Sequence, residues 1–160
     1  MPWLVNGLVL LRMATTPFRN EPSKTILVVE DYDMIRSIVR IVLERMGHVV
    51  LEASDGVDGL TASRNFIGRI DLVISDVRMP KMDGPEMVSR LQIERPDIKV
   101  LLISAHSTES VPPDLREDFV AKPFLPAAIE KKVQEILARD PASSGLERFV
   151  PAEGPAPGDG

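Results

Sequence analysis

Apolar runs of strand length alternate with stretches of helical periodicity between residues 24 and 139, and few folds accommodate that alternation. A strand that passes through a helix before the next strand returns parallel to the first, so repeated units of this kind build a parallel sheet with helices packed on it. The strand candidates are Thr25 to Val29, Val49 to Glu52, Leu72 to Ser75, Val100 to Ser104 and Phe119 to Ala121. The chain is therefore expected to be an α/β protein.

Between the first two strands, Ile35, Ile38, Val39, Val42 and Met46 recur at three- and four-residue spacing, which predicts a helix over residues 33–46 with Asp33 as its cap and Gly47 as its stop. A second helix is predicted from Gly56 to Phe66, turning Val57, Leu60 and Phe66 inward. The third begins at Asp83 Gly84 Pro85, where a capping carboxylate precedes a proline tolerated in the first turn, buries Val88 and Leu91, and ends before Pro96. The last runs from Pro126 to Ala138 with Ile129, Val133, Ile136 and Leu137 aligned, and Leu125 stands where a polar cap is usual. Pro112 and Pro113 forbid a continuous helix of ordinary length between His106 and Asp118.

With 160 residues, the chain has enough length for one domain with a sizeable core. Its formal charge of -5, without a basic stripe, argues against a nucleic-acid surface. Cysteine is absent, which excludes disulfides, thiolate metal sites and thiol nucleophiles together. Residues 1–23 are expected to form a disordered extension; its apolar stretch from Trp3 to Leu11 is too short to cross a bilayer, and Met13 is an alternative start. Residues 140–160, rich in Pro, Gly and Ser, are expected to be a disordered tail without room for an effector domain.

The chemistry gathers at the ends of the strands. Glu30 and Asp31 follow the first apolar run, Asp76 follows the third, and Lys122 follows the fifth. Open α/β sheets bind ligands outside the carboxyl ends of their strands, so these groups are expected in one crevice. Converging carboxylates repel one another and call for a cation or for protons.

Four ordered stretches resemble the receiver domains of two-component response regulators: Ile26 to Asp31, Val73 to Gly84, Leu102 to Ala105 and Phe119 to Phe124. The resemblance covers residues 24–139. It implies a doubly wound, flavodoxin-like (βα)5 fold, with a five-stranded parallel sheet in the order 2-1-3-4-5. The short interval between Ser104 and Phe119, with its two prolines, implies a shortened or irregular fourth helix. The resemblance also implies that Asp76 takes a phosphoryl group from the phosphohistidine of a sensor histidine kinase or a histidine phosphotransfer protein. Mg2+ would be held by Glu30, Asp31, Asp76 and the main-chain carbonyl of Arg78. Lys122 and Ser104 match the residues that bind phosphoryl oxygens, and Phe119 matches the aromatic ring that turns when the hydroxyl is drawn inward. Lys122-Pro123 matches a cis peptide of the family. Arg78 and His106, each two residues beyond a site residue, are candidates for tuning the acyl-phosphate lifetime. Taken with the charge and length of the chain, the resemblance leads to the expectation of a cytoplasmic single-domain regulator with a downstream protein partner, no nucleic acid or membrane, and signalling in place of turnover. The wording around Met82 to Pro85 is most similar to receivers of hybrid sensor kinases, which points to a phosphorelay or a phosphate sink.

Two rival readings use the same residues. Asp31 Tyr32 Asp33 after an apolar strand imitates the Asp-x-Asp motif of haloacid-dehalogenase phosphatases, with Asp31 as nucleophile and Asp33 as acid and base. Alternatively, the domain is a phosphorylation-independent interaction module, a role in which a clustered charge has no physical use. A glycine-rich phosphate loop follows none of the strands, which argues against nucleotide binding.

Overall fold

Alternation within each strand sorts its side chains to opposite sides of a sheet, and this produces two cores. The computed structural model describes residues 22–105, 111, 113 and 116–139. The strands β1 (Thr25–Val29), β2 (Val49–Ala53), β3 (Leu72–Asp76), β4 (Lys99–Ser104) and β5 (Phe119–Ala121) are all parallel and lie in the order β2-β1-β3-β4-β5. The described helices are α1 (Asp33–Arg45), α2 (Gly56–Asn65), α3 (Gly84–Glu94) and α4 (Pro126–Ala138). Leu27, Val29, Val73 and Leu102 meet Leu60, Met87, Val88 and Leu91 of α2 and α3 on one face. Ile26, Val28, Ile74 and Ile103 meet Val39, Leu43, Ile129 and Val133 of α1 and α4 on the other. The doubly wound architecture expected from the sequence is the one observed.

The elements fall within a residue or two of their expected bounds, and the departures have local causes. In α1 the N-cap is Tyr32, with no side-chain capping bond; Asp33 lies in the first turn and pairs with Arg36 at 2.6 Å. Its buried stripe is Val39, Val42 and Leu43, while Ile38 is exposed. In α2, Val57 is exposed and the inward face is Gly56, Gly59, Leu60 and Ser63. Small residues are needed there because the helix lies close to its neighbours: a Cβ on Gly59 would fall 2.7 Å from the Met87 sulfur and 3.1 Å from a Val29 methyl. Asp83 caps α3 as expected, accepting from the Glu86 N–H at 2.8 Å. Leu125 precedes α4 without a capping bond.

His106 and most of the proline-containing interval, residues 106–110, 112 and 114–115, lie outside the described residues, as do residues 1–21 and 140–160. Among the described residues, none between β4 and β5 belongs to an α-helix, and no helix is long and apolar enough to cross a membrane.

Among the described glycines, Gly84 is the most tightly enclosed. A Cβ there would lie 2.1 Å from the carbonyl oxygen of Asp76 and 2.9 Å from the Ser75 hydroxyl. Because the obstacle is backbone, side-chain rotation cannot relieve it, and Gly84→Ala is expected to cost about 3 kcal/mol of stability. A urea-unfolding midpoint equal to that of the wild type would show that the amino end of α3 can move away freely.

Candidate functional site

Strand register decides which strand ends meet. Val29 pairs with Ser75, so the next residue along each chain, Glu30 or Asp76, stands at the same level at the carboxyl ends of β1 and β3. Asp76 pairs with Ile103, and Ser104 pairs with Ala121, which sets Lys122 one step beyond the end of β5. The Lys122 N–H donates to the Ser104 carbonyl at 2.8 Å. The chain turns outward from β1 to β2 and then crosses to β3 on the other side, so β1 and β3 flank the switch point where such sheets open a crevice.

Carboxylate oxygens of Glu30, Asp31 and Asp76 lie within 4.8 Å of one another in that crevice. Glu30 and Asp76 are buried, at 2 % and 8 % exposure, and Asp31 is exposed. Lys122 crosses β4 to reach them, with its Nζ 2.7 Å from Glu30 Oε2 and 3.3 Å from Asp76 Oδ2. The Lys122-Pro123 peptide is cis. Backbone donors fix the remaining oxygens: the Tyr32 N–H donates to Glu30 Oε1 at 3.2 Å, and the Val77 N–H to Asp76 Oδ1 at 2.8 Å. Ser104 is fully buried at the end of β4, and Phe119 is half-buried against the core shared with α2 and α3. The Arg78 side chain is exposed.

One ammonium does not neutralise three carboxylates. Burial pushes the Glu30 carboxyl above its ordinary range, opposed by the bond from Lys122 and reinforced by the charge of Asp76. Burial also raises Asp76, against the pull of Lys122 and the Val77 N–H, with Asp31 adding to the rise. A set of hard oxygen donors, two of them desolvated and carrying unrelieved negative charge, fits a small divalent cation such as Mg2+.

Asp33 stands apart from this group: its side chain is 87 % exposed and bound to Arg36. The second carboxylate of the phosphatase reading is thus outside the cluster. No signal in the sequence singles out Arg36, whose guanidinium donates to the Glu30 carbonyl at 2.7 Å and lies 3.5 Å from Glu52 Oε1. The same holds for the pairing of Asp55 with Lys81 of the loop after β3, at 2.5 Å. Only the cap of α2 was readable in advance, from Asp55 standing directly before a helical run.

Residues 26–134 match the response regulator receiver domain. The chain belongs to that family. It is 36 % identical over 121 residues to the sensor kinase CckA of Brucella abortus, covering 73 % of this chain and 13 % of the kinase. The crystal structure of the receiver domain from the hybrid histidine kinase CckA superposes with a TM-score of 0.61 at 35 % identity, covering 71 % of this chain and 98 % of that one. The response regulator TrrA from Thermotoga maritima, solved in complex with Mg(2+)-BeF, gives a TM-score of 0.62 at 30 % identity, covering 71 % and 98 %. The receiver spans about half the length of the transcriptional regulators among its curated relatives.

Raised carboxyls have a consequence for stability. Such a group holds its proton more tightly folded than unfolded, so it contributes to stability when protonated and loses that contribution as pH rises through its folded-state value. Without metal, Glu30 and Asp76 therefore make stability fall as pH rises through the window just above the ordinary carboxylate range. Asp76→Asn is expected to flatten this slope and to raise the urea midpoint at neutral pH. Unfolding in the presence of a chelator, at steps from about pH 4 to pH 8, measures both effects. An unchanged slope in the variant would show that the Asp76 charge carries no penalty.

Proposed function

We propose that residues 24–139 act as a phosphoryl acceptor, taking the group from the phosphohistidine of a sensor kinase or histidine phosphotransfer protein onto Asp76. The observation that carries this reading is the contact of one half-buried ammonium, Lys122, with both Glu30 and Asp76 inside the carboxylate cluster. In the transfer, a carboxylate oxygen of Asp76 bonds to phosphorus while the bond from phosphorus to the imidazole nitrogen breaks, and the electron pair leaves with the imidazole. A carboxylate is an adequate nucleophile once the phosphoryl group is held in line and its charge offset.

Asp31, Asp76, Glu30 and the Arg78 carbonyl would hold Mg2+, which supplies charge neutralisation at the phosphoryl oxygens. The magnesium–fluoroberyllate complex of the related TrrA regulator supports this assignment. Lys122 directs its ammonium at Asp76. Ser104, buried at the end of the next strand, donates its hydroxyl to a phosphoryl oxygen, and the movement frees space into which the Phe119 ring turns. Differential contact with the phosphorylated state provides the free energy of that change. The likeness to CckA receivers favours a place in a phosphorelay, in the cytoplasm, with a protein as the downstream listener.

Incubation with acetyl phosphate and Mg2+ is expected to add one phosphoryl group by mass, and Asp76→Asn to abolish the gain. Labelling of Asp31 in place of Asp76 would support the phosphatase reading, and labelling of the Asp76→Asn variant at the wild-type rate would overturn the acceptor assignment. Lys122→Ala is expected to label about a hundredfold more slowly, and to leave the Phe119 ring resonances unchanged on phosphorylation.

A further inference from the structure

The segment that follows the acceptor, residues 77–83, is tied down at both ends. At one end the Gly84 N–H donates to the Val77 carbonyl at 2.9 Å, and the Asp76 carbonyl occupies the space that a side chain on Gly84 would need. At the other, the Met82 carbonyl lies 2.7 Å from where a Cβ on Gly56 would stand, so the segment rests directly on the first turn of α2.

Lys81 lies just before Met82, with φ at 64°, the one non-glycine residue in the left-handed region among the described residues. In that region a Cβ crowds the backbone, so the backbone alone selects glycine or asparagine. A lysine there has to be explained by its side chain. Its Nζ lies 2.5 Å from Asp55 Oδ2, and the Asp55 carboxylate is 3 % exposed. The other oxygen of Asp55 accepts from the Asp58 N–H at 2.9 Å and caps α2. The bond from Lys81 and the Asp58 N–H together hold the Asp55 carboxyl below its ordinary range.

We propose that Lys81 and Asp55 are positioning residues for the metal and phosphoryl site: their ion pair locks the loop that presents the Arg78 carbonyl onto the amino end of α2. The inference rests on the acceptor reading of Asp76. Neither residue touches the phosphoryl group; the pair limits the loop's freedom, so that the metal's main-chain ligand is already in place when the cation arrives. Backbone strain at Lys81 is offset by a contact to a desolvated partner, a pattern found where loop geometry serves a site.

Three variants separate this role from plain loop stability. Lys81→Gly removes the ion pair and relieves the left-handed strain, so a purely conformational role predicts a protein as good as wild type or better. Asp55→Asn removes the charge but leaves an oxygen to cap α2. Lys81→Arg restores a cation. The readout is the Mg2+ concentration that half-saturates acetyl phosphate labelling, alongside the Mg2+ dissociation constant from calorimetry and the thermal midpoint. Lys81→Gly and Asp55→Asn are expected to raise both magnesium constants about fivefold, with Lys81→Gly keeping the wild-type midpoint and Lys81→Arg recovering most of the affinity. Wild-type magnesium constants in Lys81→Gly and Asp55→Asn would overturn the proposal. A wild-type protein that fails to label would sink the acceptor reading instead, and the calorimetric constants of the variants would still decide whether the pair positions the metal site.

Discussion

Repulsion among three carboxylates, only partly relieved by one lysine, is the constraint around which this protein is organised. Glu30, Asp31 and Asp76 would separate in water, yet the ends of β1 and β3 hold their oxygens within 4.8 Å. The strain is distributed unevenly: Glu30 and Asp76 bear the desolvation, while Asp31 faces solvent. A site in this condition is destabilised when empty and is relieved by whatever brings positive charge to it.

Holding such a cluster takes rigid supports on all sides. Below it, the two apolar cores clamp the sheet so that strand ends cannot slide in register without turning buried side chains outward. Beside it, Arg36 anchors the Glu30 carbonyl from α1, and Gly84 lets α3 begin against the Asp76 carbonyl. Lys81 and Asp55 close the remaining side by joining the loop after Asp76 to α2. The acidic groups are thus braced from three helices, and the brace is made of polar contacts at the rim and of close backbone packing where no side chain fits.

Lys122 is supported differently from the acids it serves. It lies beyond the end of the three-residue edge strand β5, and its backbone is tied to the sheet through the Ser104 carbonyl. The ammonium, the buried hydroxyl at the end of β4 and, three residues before the lysine, the ring of Phe119 therefore lie on or just beyond the neighbouring strands β4 and β5. These three groups share one side of the sheet, next to Asp76 at the end of β3.

Much of this was legible in the sequence because it depends on short-range order. Hydrophobic periodicity of two and of near four residues is a local property, and it set the strands and helices to within a residue or two. The acidic pair after one apolar run, Asp76 after another and the lysine after a third were readable because strand ends in parallel sheets face one way. What the one-dimensional pattern misplaced was orientation and proximity. Ile38 and Val57 carry apolar side chains that the observed helix rotations leave in water, and Leu43 and Gly59 are buried because of which neighbours those helices meet. The partners Arg36 with the Glu30 carbonyl and Lys81 with Asp55 could not be inferred, since 26 residues separate the second pair and no periodicity relates its members. The amino-acid sequence by itself determined which groups stand at the ends of the strands; only the tertiary structure decided that they share one charge cluster, because strand order and register, set by the packing of both cores, convert positions along a chain into distances between atoms.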